Sequence, residues 1–518
     1  MEFLTPLLGG VELLGNPLVW LAVAAGTVFG VLAGALPGIG TTLAYGLVLP
    51  FTFVMPPTVG VAFLLAITVG VGYGNSIPAI LMGIPGNPAA ILTVLDGFAL
   101  HKQGKSSLAL GISFIAALGG QIVSILMFVL LVVPLMGLAY HFSFPEIFAL
   151  YSLGIVALIS LTGDNIVKGL MAAAFGIALG LVGLDPINMV TRLDMGLREL
   201  RSGFEEVALV IGLLAIGELF RSARQVFSWT DGVKGQANTR FPSYLEVRPA
   251  VPAMFTGTVV GTFVGAIPGA GATPAAMIAY QTAQMSSKRP EDFGRGSIEG
   301  IGANEAAQNA SNSGELIPTL GLGIPVSGSM VLLLAALTVQ GFVPGPLMVV
   351  NAPELLYAAI AGLLAASLLL LATGWWMARG MLKAVQINRQ VVLILSLAMV
   401  VVGVYAMNTR AYDVAVAMGA GVVGYFMLRY GYSTAAAALG VFVGSEFERS
   451  LRIGLNMNEN SYVEFFSRPI TLVILIFALT LLSVGLVKQA RTRRRVRAAR
   501  SAERAQAEAM AVRLEAEP

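Results

Sequence analysis

Cysteine is absent from the 518-residue chain and histidine occurs only twice, as His101 and His141. The first absence removes disulfides and thiol chemistry, and the second leaves too few ligands for most zinc sites. Serine-histidine catalysis would have to use His101, in a basic loop, or His141, near an interface, so no enzyme is read here and no catalytic residue is assigned. Charge is scarce too, at 11% of residues, and the net +3 says little about partners; no nucleic acid is expected. A phosphate loop is missing: GAGATP, at 269–274, lacks the GxxxxGK[ST] pattern and follows no strand, so nucleotide hydrolysis is unsupported. The opening MEFLTPLLGG has no basic n-region, and no removable signal peptide is read.

What the chain has instead is apolar residue, 56% of the total, with a mean hydropathy of +0.82. No soluble domain needs so much. Apolar runs at 18–36, 108–138, 153–184 with an interruption at Asp164, 207–220, 355–377, 391–407, 414–428 and 471–487 suit a bilayer core that takes about 20 helical residues. Open sheets are excluded at that depth, so the expected fold is an all-α polytopic membrane protein. About 10–12 transmembrane helices are expected, with re-entrant or broken helical hairpins.

The hairpins are expected because the sequence repeats its helix-breaking motifs. GALPGIG at 34–40 returns as GAIPGAG at 265–271, and GNSIPAILMGIPG at 74–86 returns as GELIPTLGLGIPV at 314–326, so one copy carries a short insertion. Charges after each motif swap: 41–73 carries none where the second copy has SSKRPEDFGRGSIEG, and HKQGK is matched by VQGFVPGP. Equivalent loops on opposite sides are what two inverted-topology repeats predict. The chain divides accordingly into a first repeat core (1–138), connecting helices with a basic loop (139–249), a second repeat core (250–350), C-terminal helices (351–487) and a charged tail (488–518). Basic clusters at 101–105, 192–201, 221–248, 288–295, 379–389 and 488–513 are expected to be mostly cytoplasmic. The tail, rich in Ala and Glu, reads as a solvated or surface-lying helix.

Each Pro–Gly break frees backbone groups at membrane depth, which is tolerated only inside protein or a wet cavity. Helices restarting at Thr41 and Thr42, and again near Thr273, would present N-terminal amides and hydroxyls suited to a carboxylate. The substrate-binding candidates are therefore Gly38, Gly40, Thr41, Thr42, Gly86, Asn87, Gly269, Gly271, Thr273, Ser327 and Ser329. Close packing of helices is the alternative role for these glycines. In IEGIGANEAAQNASNSGELIP, Asn304 and Gln308, then Glu305 and Asn309, stand four apart on adjacent helix faces. Hard amide and hydroxyl oxygens could hold a sodium ion, and Asn75, Ser76, Asn309 and Asn312 are the ion-binding candidates, with interhelical hydrogen bonding as their alternative role. No other metal is expected. Asp96 reads as a helix cap.

These stretches, with GLDPINMVTRLDMGLRELRSGFEEVALVIGLLAIGELF and GSEFERSLRIGLNMNENSYVEFFSRPI, resemble the large membrane subunit of the tripartite tricarboxylate transporters, the TctA family, over nearly the whole chain. The family's second Gly after GIP is Val326 here, one of its paired Asn is Gln308, and its RFTFG-like segment reads RLDMG at 192–196. The resemblance implies a secondary importer of the bacterial inner membrane, multi-pass, with a cytoplasmic C-terminal tail. It further implies a periplasmic solute-binding protein (TctC-like), a small four-helix membrane subunit (TctB-like), a carboxylate solute and no cofactor beyond a coupling cation, sodium or proton. Alternating access is the implied mechanism. A channel-like passive pore for small organic anions is the alternative, recognisable by current without partners.

Overall fold

The structure, a computed structural model, describes residues 4–490 apart from 37, 163–164, 186, 225–239, 344, 385–388 and 488. The charged tail and Asp164 thus lie outside the described residues, as do parts of the 221–248 and 379–389 clusters. What is described is helical, with one pair of two-residue strands among the described residues. Six helices are long and apolar enough to cross a membrane, and five apolar helices are shorter.

Asn16 caps the Leu18 amide at 3.0 Å and Pro17 opens α1 (Pro17–Ala35), which stops ahead of Pro37. The chain restarts in α2 (Thr41–Thr52), then α3 (Pro57–Gly74) passes through a helical Asn75 into α4 (Ser76–Met82). Gly83 closes α4 in the left-handed conformation, φ 69°, which a side chain would strain. After a further helical stretch over 88–102 come α5 (Ser106–Ala139), α6 (Phe144–Thr162) and α7 (Ile166–Gly180).

The second half repeats the beginning. Helix α8 (Val251–Gly265) breaks and restarts as α9 (Ala272–Ser286), and α10 (Ile298–Leu322) ends at Gly323, φ 71°, before α11 (Gly328–Val339). In both halves the first helix lies flush on the third through glycine: a Cβ on Gly30 would sit 2.4 Å from the Ile67 carbonyl oxygen, and one on the equivalent Gly261 2.3 Å from that of Ala307. The remaining helices include α12 (Pro353–Ala384), α13 (Arg389–Asn408), α14 (Ala411–Arg429), α15 (Thr434–Met457) and an apolar helix Pro469–Val487.

Helix α10 positions the site. It has 25 residues, long enough to span, yet it is too polar to count among the six apolar helices. Its amides and carboxyls are buried against protein instead, between α8, α5 and α3. Away from it, β1 (Gly183–Leu184) pairs antiparallel with β2 (Thr191–Arg192). Arg192 grips both carboxylate oxygens of Glu448 at 2.7 and 2.8 Å, and Arg452 holds Asp185 at 2.8 Å. That hydrogen bond from Arg452 keeps the Asp185 carboxyl down at about 2.

Candidate functional site

Within each half the two breaks cross, and they do so by the same bonds. The Gly38 amide donates to the Gly86 carbonyl at 3.3 Å, and the Gly269 amide donates to the Val326 carbonyl at 2.9 Å. Past Gly83, Ile84 donates to Pro78; past Gly323, Ile324 donates to Pro318. Asn87 then caps the Ala90 amide at 2.9 Å, and Ser327 caps that of Met330 at 3.4 Å. The helix breaks read from the sequence are thus paired crossings, and in each the amide of the glycine after the proline finds its partner across the crossing.

The candidate substrate residues gather around these two points. Gly40 is the residue that starts α2, with Thr41 and Thr42 half-buried in its first turn. Thr42 lies against Gly328, at the start of α11, so the first break of one half meets the second break of the other. Thr273 sits half-buried in the first turn of α9, and the hydroxyls of Thr41, Thr42 and Thr273 make no hydrogen bond among the described residues. Ser327 and Ser329 differ: Ser327 donates to the buried Glu315 carboxylate at 2.6 Å, and its hydroxyl stands 3.0 Å from that of Ser329. Gly271 neighbours the same carboxylate. A carboxylate already uses the Ser327 hydroxyl.

Between the crossings, α3–α4 and α10 touch through polar groups. Gln308 donates to the Gly72 carbonyl at 3.1 Å and to Asn75 Oδ1 at 3.0 Å, while Ser76 donates to Glu305 at 2.5 Å. Asn309 Oδ1 and Asn312 Nδ2 pack on Gly72, where a Cβ would fall 2.3 and 3.2 Å from them. Contacts advance along α3–α4 as they retreat along α10, so the two helices run antiparallel. The four ion-binding candidates therefore do come together, but Asn309 Nδ2 is engaged by its own helix, donating to the Glu305 carbonyl at 2.9 Å.

Sequence reasoning assigns no role to two central residues, Glu305 and Thr93. Thr93 donates to Glu305 and accepts from Asn304 Nδ2 at 2.6 Å. The only sequence signal was their polarity in apolar surroundings. Asp96, read as a helix cap, instead ties down the loop that leads into α10: its Oδ1 accepts from the amides of Gly294, Gly296 and Ser297 at 2.7–3.0 Å and its Oδ2 from Tyr280 at 2.8 Å, while Ser297 caps α10 by accepting from Gly300. A separate cavity, lined by Tyr151, Glu206, Phe442 and Glu446 among others, contains none of the candidate residues.

Paired Pro–Gly crossings around a polar membrane helix are the arrangement to set beside known proteins. The model of the tripartite tricarboxylate transporter TctA family matches residues 20–439. The chain belongs to that family. A relative from Agrobacterium vitis, the 52.8 kDa protein in the TAR-I ttuC' 3' region, is 31% identical over 496 residues, covering 95% of this chain and 98% of its own. A second protein of that organism, in the TAR-II ttuC' 3' region, is 30% identical over 234 residues, 45% of this chain and 97% of its own. No solved structure matches significantly. This TctA-family chain is a multi-pass membrane protein and a component of a tripartite transport system.

Proposed function

We propose that this TctA-family chain is the solute-conducting subunit of a secondary importer. It moves a tricarboxylate, dicarboxylate or related organic acid across the bacterial inner membrane by cation-coupled alternating access. A periplasmic binding protein delivers the solute, a small four-helix subunit completes the membrane complex, and the C-terminal tail is cytoplasmic. The two halves are inverted-topology repeats.

The observation that carries the reading is the matched pair of crossings, Gly38 on Gly86 and Gly269 on Val326, beside threonine hydroxyls that make no hydrogen bond among the described residues. In transporters built from inverted repeats, broken helices meet near the midplane and supply amides to anionic solutes and oxygens to cations. Antiparallel α3–α4 and α10, which meet at the repeat-equivalent residues Gly72 and Asn312, are what an axis in the membrane plane would give. Solute carboxylates would meet Thr41, Thr42 and the amides of Gly40, Gly86 and Asn87, those of Gly38 and Ile39 being held by the Gly86 and Leu36 carbonyls.

The test is uptake of labelled carboxylates into proteoliposomes holding this chain and the small subunit, with binding protein and a sodium or proton gradient each added or omitted. Accumulation that needs both binding protein and gradient is expected. Equilibration independent of both would replace the importer by a passive pore.

A further inference from the structure

One buried group has more oxygen around it than its bonds explain. Glu305, on α10, is 0% exposed and makes no salt bridge among the described residues. The direction of its hydrogen bonds is set by its neighbours. Thr93 Oγ1 accepts from Asn304 Nδ2, so its single proton points to Glu305 Oε1; Ser76 sends its proton to Oε2. The carboxyl is therefore surrounded as an acceptor, which is the environment of the ionised form. An ionised carboxylate buried at membrane depth without a countercharge is costly.

Unsatisfied oxygens flank it. Asn304 Oδ1 and Gln308 Oε1 are buried with no hydrogen-bond partner. The Ser113 hydroxyl on α5, 1% exposed, faces the Glu305 carboxyl and also makes no hydrogen bond of good geometry. Two amide nitrogens of the same interface, Asn75 Nδ2 and Asn312 Nδ2, are also without a partner, so the oxygens that count are the two beside the carboxyl, Asn304 Oδ1 and Ser113 Oγ. Oxygen around one negative charge suits a hard cation, and a single carboxylate balances a single positive charge, where a divalent ion would leave net charge behind.

We propose that Glu305, with the oxygens of Ser76, Thr93, Ser113 and Asn304, binds a sodium ion. This rests on the cation-coupled reading above and names its ion site, which differs from the four-residue set read from the sequence by centring on a carboxylate. The placement also supplies a coupling route. Ser76 and Thr93 flank the second break of the first half, and Asn75, next to Ser76, packs against Gly86, where a Cβ would fall 2.6 Å from the Asn75 side chain. A cation joining Ser76 and Thr93 to α10 orders that crossing, and with it the amides offered to the solute.

The experiment is equilibrium binding of radioactive sodium to the purified full-length chain in detergent, with no solute and no partner. Saturable binding is expected, lost in Glu305→Gln and weakened about tenfold in Thr93→Val, which keeps the side-chain volume and removes the oxygen. Glu315→Gln, the other buried carboxylate of α10, should leave sodium affinity unchanged. Size-exclusion profiles establish that each variant is folded, and Thr93→Val decides the matter if Glu305→Gln is not. Wild-type affinity in a folded Glu305→Gln or Thr93→Val, or absence of sodium binding in the wild type, overturns the site. If the site fails while uptake remains driven by a gradient, the importer reading survives; if sodium binds as expected but no carboxylate is accumulated, the site survives and the importer reading falls.

Discussion

The two crossings share a backbone and differ in charge. Gly38 on Gly86 and Gly269 on Val326 are the same hydrogen bond, and Gly83 and Gly323 turn the chain with φ values of 69° and 71°. Yet Asn75, which packs under the first crossing, is Glu315 in the second, and Asn87 is Ser327. Gly40 and Gly271, equivalent in sequence, enter their helices with φ of opposite sign, −82° and 63°. The two halves share what the helix breaks require and differ in the side chains around them. The first crossing is neutral and has Thr41 and Thr42 beside it, whose hydroxyls make no hydrogen bond among the described residues; the second holds a carboxylate that accepts from Ser327, whose hydroxyl in turn meets that of Ser329. On the importer reading proposed above, the first is the better receptor for an anionic solute.

The largest effect should come from the contact that has no counterpart. Asp96 caps three amides ahead of α10, and the position equivalent to it in the second half is Ala336. Asp96→Ala leaves those donors and the Tyr280 hydroxyl without their acceptor, a loss of about 3–5 kcal/mol. Thermal unfolding in detergent should show a far lower midpoint, whereas Ala336→Gly should cost only about 1 kcal/mol, the helix penalty of glycine. Comparable shifts for the two would mean that Asp96 does not organise α10.

Next comes the shared glycine packing. Gly30→Val and Gly261→Val each drive a side chain into a backbone carbonyl, which cannot swing aside as a flexible side chain would. Overpacking of this kind costs about 1–3 kcal/mol. If the halves are equivalent in packing, the two variants lose folded protein to a similar degree on size exclusion. A tolerated Gly30→Val beside a ruinous Gly261→Val would confine the tight packing to the second half.

The sequence announces the helix breaks because proline and glycine act locally: a Pro–Gly heptad breaks a helix whatever surrounds it, and the return of both motifs in the same order marks the two halves as alike. The family is legible for the same reason. The hydrogen bonds to Glu305 are not, since they depend on how α3–α4 and α10 register against one another, and Ser76 and Glu305 stand 229 positions apart. Asp96 was legible as an acceptor of backbone amides from its residue type, but not the loop it holds, which lies about 200 positions later and leads into a helix that Ser297 caps. Ser327 and Ser329 read as free donors because α10 and the break after it look separate in sequence. Gly323 turns the chain back so that Glu315 meets Ser327, a pairing only 12 residues apart that the left-handed turn made possible.

The smallest effect is also the sharpest comparison. Asn87 and Ser327 do the same capping work at equivalent positions, so losing either cap costs about 1 kcal/mol. Ser327 has a second bond. Its one proton goes to Glu315, and Ser327→Ala strips a hydrogen bond from a buried carboxylate in addition to the cap, a further loss of about 1–3 kcal/mol. Ser327→Ala should therefore lower the unfolding midpoint more than Asn87→Ala. In the double variant Ser327→Ala with Glu315→Gln, the excess should shrink, because a neutral amide needs the hydroxyl less than a carboxylate does. Equal midpoints for the two single variants would mean that Glu315 draws nothing from Ser327, and the charge difference between the crossings would then have no bearing on how each is held together.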